Sequence, residues 1–440
     1  MRNTFLLILL CIICYNVQAQ EVWSLQKCVE HAQKNNLNLR QSEIAIQQAT
    51  LNNKEDRFAR YPDLNARVNG GFNFGRTIDP TTNDFRNQRI GNSQVFLTSN
   101  VILYNGGRIN NSIKKSNYEI EAAKADAKTM QNDIALQISS VYLNVLLAQE
   151  QVTIAQNQLK LTDTQLAQTD KRINAGVLPK NERLEILAQQ ARNQQNFITA
   201  QNNVAINLIN LKNLLELEPA YDITVEVPAD VIPSAEEILS LEEIYTKALE
   251  AQPSIKASEL RMESAQLDIP IAESLGLPRI DLFGQVNSNY ANIPNFPNDG
   301  YFRQLDTNLG QTLGAQVSIP IYNANRTKLA VERARLGIIN AEVQNKQAKQ
   351  NLKADIQNAV ASARAAKSAL AASQGALDAA KASYNNAQKM YELGAINTLE
   401  FTNSKANLDT AELNVIQSKY DYVFRLKVID FYLGKDLSIK

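Results

Sequence analysis

The chain reads as a mixed α and β fold laid down twice, and three observations carry that reading. Matching landmarks recur in one order about 218 residues apart, several short segments alternate polar and apolar residues, and runs of 65 and 68 residues contain no proline and at most two glycines. Each half is therefore expected to run helix, β-hairpin, long helix, tight turn, returning helix.

Met1-Arg2-Asn3-Thr4, the apolar run Phe5 to Cys14 and the segment Tyr15 to Gln20 have the order of a secretory signal peptide, with cleavage expected after Ala19. Cys14 invites a lipoprotein reading, but Cys11-Ile12-Ile13 before it are bulkier than that processing favours. After residue 19 no run of 18 apolar residues occurs, so no helix is equipped to cross a bilayer. Cys28 is then the one cysteine left, which excludes an intramolecular disulfide and leaves it the part of a small helix residue. His31, the only histidine, is expected on an exposed helix surface, and a histidine-rich metal site is excluded. With 45 basic and 45 acidic residues the net charge is zero, which argues against nucleic acid as a partner.

The repeat is anchored at three places. Asn100 to Arg108, closing on Tyr104-Asn105-Gly106-Gly107-Arg108, resembles Ser318 to Arg326, closing on Tyr322-Asn323-Ala324-Asn325-Arg326. Gly176 faces Gly394 at the same offset of 218, and Tyr61-Pro62 faces Leu277-Pro278 at 216. Residues 20–217 and 241–440 are the expected repeats, with 218–240 as a connector.

The first helical stretch runs from Leu25 to Arg60 and its counterpart from Leu241 to Leu275, interrupted near Pro253 and Pro270. Next come strands. In Leu64 to Phe74 the even positions are mostly apolar and the odd ones polar, the period of a strand with one oily and one wet face. Ile280, Leu282, Gly284, Val286 and Tyr290 repeat the pattern. Return strands are expected at Gln94 to Leu103, with Val95, Leu97, Val101 and Leu103 on one face, and at Leu309 to Ile321. The polar segments Arg76 to Asn92 and Ala291 to Asp306 read as loops.

Long helices follow, Arg108 to Arg172 and Arg326 to Leu393. Each would extend about 100 Å at 1.5 Å per residue, too long for an ordinary compact domain and suited to supercoiling against neighbours. Residues 354–384 hold 13 alanines, which favour helix and permit close approach. The chain turns at Ala175-Gly176-Val177-Leu178-Pro179, with Pro179 expected in the first turn of the returning helix. The second turn is Leu393-Gly394-Ala395-Ile396-Asn397, before a helix from Thr398 to Phe431. The connector carries Pro219, Pro228 and Pro233 and one short strand, Ile223 to Val227.

Four two-faced strands cannot close a barrel alone, since transmembrane barrels have at least about eight, and lipid does not accept open edges. Several copies must pool their strands. Two would leave a lumen filled by side chains, so three or more are required. A soluble coiled-coil scaffold or adaptor explains the helices but leaves the strands without a membrane.

The leader, Asn100 to Arg108, the Ala175-Gly176 turn and the duplicated order together resemble the TolC-type outer-membrane efflux protein family across the whole mature chain. The resemblance implies a homotrimer forming one 12-stranded β-barrel set in outer-membrane lipid and continued by a long periplasmic α-helical barrel. It implies docking to a periplasmic adaptor protein and an inner-membrane pump or exporter, with no cofactor, metal or catalytic residue. The family's turns carry basic and leucine-glycine patterns for adaptor docking. Arg172 and Gly176 keep the base and glycine, whereas Leu393-Gly394 follows Glu392, a departure. Acidic rings narrow some members' tunnels just after the second turn; Glu400 matches the first position and Asn403 replaces the second by an amide. Arg108 and Arg326 stand where return strand hands over to long helix, as anchors of the barrel base or as solvated cations. Gly106-Gly107 fits a strand-to-helix bend, with no phosphate-loop spacing.

Overall fold

A computed structural model describes residues 21–78, 83–227, 239–294 and 298–435. The expected signal peptide, Cys14, Pro228 and Pro233 lie outside the described residues. The chain divides into two compact units, each drawing on both halves: a strand unit of residues 45–124 and 257–346, and a helical unit made of the remainder.

The strand unit holds a four-stranded antiparallel sheet of β2 (Asn65–Ile78), β3 (Phe85–Asn105), β5 (Arg279–Asn292) and β6 (Gly310–Ser318), in that order. Directly opposed residues share a face, so the register sorts the side chains. Val68 lies opposite Val95, Ala66 opposite Leu97, Leu97 opposite Val286, and Ile280 opposite Val317. The reverse face carries Asn65, Arg67, Asn69, Gln94, Gln285, Asn287 and Thr312. The alternation read from Leu64 to Phe74 thus extends across the sheet, with Ile90, Phe96, Ile102 and Phe283 as apolar exceptions on the polar face. Val68, Phe72 and Phe74 are all largely exposed in the single chain.

Four expectations are corrected here. Residues 76–92 are mostly paired strand, continuing to Ile78 opposite Phe85, because backbone hydrogen bonds persist where the apolar alternation fades. Leu103 is the unpaired residue of a bulge, and Tyr104 takes its place opposite Ile280. β6 ends at Ser318, short of Pro320, which lacks the donor to extend a ladder. Within the expected loop 291–306 a short helix begins at Tyr301 and reaches Thr307, braced by the amide of Gln304, which accepts from the Ala291 N–H and donates to its carbonyl.

Both leading helical stretches are broken. The first gives α1 (Leu25–Asn35) and α2 (Leu37–Phe58), because Asn36 turns extended and its Oδ1 accepts from the N–H groups of Asn38 at 2.9 Å and Leu39 at 3.4 Å. The second gives α5 (Leu241–Ala251), α6 (Pro253–Gln266) and α7 (Asp268–Glu273), with the break at Gln252 and Pro253 opening α6. Long helices α3 (Arg108–Asn174) and α9 (Arg326–Glu392) span 67 residues each, and α4 (Glu182–Leu214) and α10 (Thr398–Tyr432) return. Pro179 lies outside α4, which starts three residues later, with the Pro179 carbonyl accepting from Glu182. The helix between the sheet's third and fourth strands, Tyr301–Thr307, is α8.

In the helical unit β1 (Glu21–Trp23) pairs in parallel with β4 (Ile223–Val225), the expected connector strand in shorter form. Trp23, Cys28, Ile138, Val145, Leu211 and Val225 bury together there. The Tyr142 hydroxyl, shared between the carbonyls of Glu226 at 2.8 Å and Trp23 at 3.2 Å, ties α3 to both strands. His31, expected exposed, is half-buried with its ring edge-on to Trp23 at 5.0 Å. Cys28 is fully buried, and burial pushes its thiol up to about 12. A second cluster packs Ile244 and Ile255 on Ile356 and the small residues Ala359 and Ala363 of the alanine-rich stretch. Among the described residues no helix is long and apolar enough to cross a membrane.

Candidate functional site

The predicted site residues fall at two places, the turns joining α3 to α4 and α9 to α10 in the helical unit, and the strand-to-helix junctions in the strand unit.

Both turns are built alike. Gly176 sits at φ 75° and Gly394 at φ 72°. Val177 N–H donates to the Arg172 carbonyl at 2.9 Å and Gly176 N–H to Ile173 at 2.9 Å; Ala395 donates to Met390 at 2.8 Å and Gly394 to Tyr391 at 3.0 Å. This is the Schellman cap, which needs a left-handed residue just past the helix. No neighbour lies within 4 Å of an added Cβ at either glycine, so the backbone alone demands them. Around them Leu393 is 85% exposed and Val177 62%.

Arg172 does not reach outward. Its guanidinium lies 5.5 Å from the Tyr391 ring centre, Tyr391 stacks on Phe401 at 4.7 Å and 9°, and Phe401 packs against Tyr384. Thr398 Oγ1 donates to the Tyr391 hydroxyl at 3.2 Å. The Arg172–Tyr391 contact joins the two hairpin ends within one chain, while Arg183 Nε, donating to Asp170 at 2.8 Å, ties together the two arms of the first hairpin. The tyrosines carried no spacing signal and were missed by the sequence reading.

Glu400 and Asn403 are both exposed on α10, while Thr398, Phe401, Thr402 and Lys405 are buried. Asn397 caps the helix by accepting from the Glu400 N–H at 2.8 Å, so Glu400 also sits where a helix start favours negative charge. Below it lies a buried ion pair that was not foreseen. Lys405 is bonded to Asp409, with the side chains 8% and 11% exposed, and the ammonium is 5.8 Å from the Tyr384 ring. Burial raises the Asp409 carboxyl against the lowering effect of Lys405.

At the junctions Gly106 and Gly107 have φ 64° and 79°, and their counterparts Ala324 and Asn325 adopt 54° and 61°. Two successive left-handed residues thus make each bend. Arg108 begins α3 and lines a cleft of 420 Å³ with Asp56, Asn105, Arg279 and Ser318. Arg326 begins α9, its Nε donating to the Asn323 carbonyl at 3.2 Å. Among the described residues neither arginine is paired with a carboxylate.

Comparison with known proteins places this geometry. A family model described as outer membrane efflux protein matches residues 28–216 and 244–435. Among solved structures, that of CusC, reported with its folding and transmembrane channel formation, aligns at TM-score 0.80 and 18% identity over 94% of this chain and 92% of that one. The CmeC outer membrane channel of Campylobacter jejuni aligns at 0.76 and 17% over 93% and 85%, and the open MtrE outer membrane channel of Neisseria gonorrhoeae at 0.73 and 19% over 94% and 89%. A sequence search of curated proteins gives no significant match.

Proposed function

Because the chain belongs to the outer membrane efflux protein family, a family of transport ducts without enzymatic activity, we propose that three copies build one 12-stranded barrel continued by an α-helical barrel, a conduit from the periplasm to the outside.

One observation carries the reading: the sheet's two open edges coincide with two unpartnered helix faces. β2 and β6 are the outer strands of the sheet. Lipid does not tolerate their unpaired groups, and β6 of one copy beside β2 of the next continues the antiparallel alternation until the barrel closes. α2 leads into β2, and its Leu37, Ile44, Leu51 and Phe58 recur every seven residues, all more than half exposed. α9 follows β6, and its Leu329, Leu336, Ile339 and Val343 have heptad spacing and are likewise exposed. Heptad faces bury against a neighbouring helix, so each copy presents a matched strand edge and helix face on both flanks.

A duplicated plan, 20–217 and 241–440 about the connector 218–240, accounts for two further coincidences. Asn36 Nδ2 donates to the carbonyl of Leu214, and Gln252 Nε2 to those of Phe431 and Tyr432. Each broken leading helix thus caps the end of the returning helix of its own half. The paired left-handed residues at 106–107 and 324–325 repeat at the same offset of 218.

The hairpin ends dock a periplasmic adaptor that connects the duct to an inner-membrane pump, through exposed Val177 and Leu393 beside Gly176 and Gly394. Arg172 holds the two ends together from behind. Glu400 forms a three-fold acidic ring at the entrance, with Asn403 adding hydrogen bonds and no charge. The test is single-channel conductance of the purified protein in a planar bilayer, with Glu400→Gln beside it. Discrete cation-preferring steps are expected, with preference reduced in the variant. Absence of steps would refute the conduit, and unchanged selectivity in Glu400→Gln would refute the ring.

A further inference from the structure

The apolar face of the sheet does not end in water on the side away from the helices; it ends in arginines stacked on phenylalanines. A tilted strand crosses the hydrocarbon in about 9–11 residues. Counted up β5 from Ile280, that distance is used up by Ser288 to Tyr290, so the row of Asn292, Gly91 and Phe72 lies just above it. There the Phe72 ring lies across Gly91, where an added Cβ would come within 3.2 Å of it. The Arg89 guanidinium sits 4.1 Å from the centre of the Phe72 ring and 5.9 Å from that of Phe74. Two rows further on, Arg76 lies 4.9 Å from the centre of the Phe85 ring.

Arg76 and Arg89 belong to the same face as Val68 and Phe74, since Arg89 opposes Phe74 and Ile78 opposes Phe85. Both are exposed, and among the described residues neither is paired with a carboxylate. A guanidinium held over a ring keeps N–H groups at its rim to offer, and these match the oxygens of a phosphate. Nearby, α8 rests on the same face, with the Ser288 hydroxyl bonded to the Leu305 carbonyl at 2.6 Å, and it adds the exposed ring of Phe302.

We infer that Arg76 and Arg89 bind phosphate groups of an outer-leaflet lipid, with Phe72 and Phe74 positioning the Arg89 guanidinium and Phe85 that of Arg76 at headgroup height. The occupant is a lipid because the site continues the apolar wall and its rings face outward, where acyl chains supply the rest of the contact. This rests on the reading of the sheet as a barrel wall.

The experiment uses the assembled protein in phosphatidylcholine nanodiscs. These carry equal minor fractions of a bis-phosphorylated diglucosamine lipid and the same lipid stripped of phosphate. Lipid retained through mild-detergent washing is then quantified by mass spectrometry. At roughly fivefold for each arginine at a membrane surface, the phosphorylated lipid should be retained in about thirtyfold excess, falling to parity in Arg76→Gln/Arg89→Gln. Equal retention of the two lipids by the unaltered protein overturns the inference without recourse to a variant. Displacement by inorganic phosphate overturns it as well, by making the site one for the free ion. Channel conductance recorded in the same lipid mixture separates the two levels: conductance with no lipid preference defeats this site alone, and loss of conductance defeats the barrel reading beneath it.

Discussion

The bend at Gly106-Gly107 separates two constraints that glycine usually satisfies together. Both residues are left-handed, so alanine at either costs about 1–2 kcal/mol in backbone strain. Only at Gly106 is the space also taken, with Leu277 Cβ and Cδ1 each 2.9 Å from an added Cβ and Ser274 Cβ at 3.1 Å. At Gly107 the nearest atom is Asn111 Nδ2 at 3.8 Å. Leu277 Cβ is fixed to its own backbone beside Pro278 and cannot swing away, so overpacking adds about 1–3 kcal/mol. Gly106→Ala should therefore cost about 2–5 kcal/mol and Gly107→Ala about 1–2 kcal/mol. Ala324 already carries the strain, and Ala324→Gly should relieve about 1 kcal/mol of it. The assay is the heat-dissociation midpoint of the detergent-solubilised assembly, followed by helical ellipticity. The expected order is Ala324→Gly highest, then the unaltered chain, Gly107→Ala and Gly106→Ala. Equal midpoints for the two glycine variants would refute the packing of Leu277 over the bend.

Four further outcomes follow from the helical unit. Lys405→Met or Asp409→Asn alone strands a buried charge and should cost about 3–5 kcal/mol, whereas Lys405→Met/Asp409→Leu should come near neutral; additive losses in that cycle would contradict a coupled pair. Since burial raises the Asp409 carboxyl, the folded state takes up its proton first. Its contribution is full below the ordinary 3.8 and declines as pH rises through the folded value. Asp409→Asn should flatten that decline only in part, because Glu412 is raised by the same cause and remains. Gly176→Val should strain the cap while leaving assembly intact, so adaptor-dependent export should be lost at normal channel abundance, and unchanged export would count against a docking tip. Tyr142→Phe leaves the Trp23 and Glu226 carbonyls without their shared donor, at about 1–3 kcal/mol, and a lower melting midpoint reported by Trp23 fluorescence checks it.

What could be read from the residues alone was whatever is local. Period-two alternation exposed the lower halves of the strands, the absence of proline and scarcity of glycine marked the long helices to within two residues, and Gly176 and Gly394 revealed turns because a left-handed cap is a property of the residue itself. The upper half of β3 was hidden, since Arg86 to Asn92 alternate no apolar side chains and pair through the backbone. The break at Asn36 was hidden because an asparagine among leucines and polar residues carries no sign that it caps a new helix while its amide also donates to Leu214, far along the chain. Arg172 was recognised as a basic residue near a turn, but its partner Tyr391 comes from the other hairpin. Lys405 and Asp409 look like an ordinary surface pair one helical turn apart; only the tertiary packing, with the Tyr384 ring 5.8 Å from the ammonium, makes the pair a buried one.

The claim that open edges of separate copies close on one another is tested most directly by crosslinking. Paired cysteines are scanned along β2 and β6, one on each strand. Cys28 stays in place, because a fully buried thiol pushed up to about 12 does not compete. β2 and β6 are not neighbours within the sheet of one chain, so any rapid disulfide between them joins two copies. The account predicts a covalent ladder that stops at three copies, seen only in membranes or detergent. A disulfide within a single chain, or a ladder ending at two or at four, would contradict it.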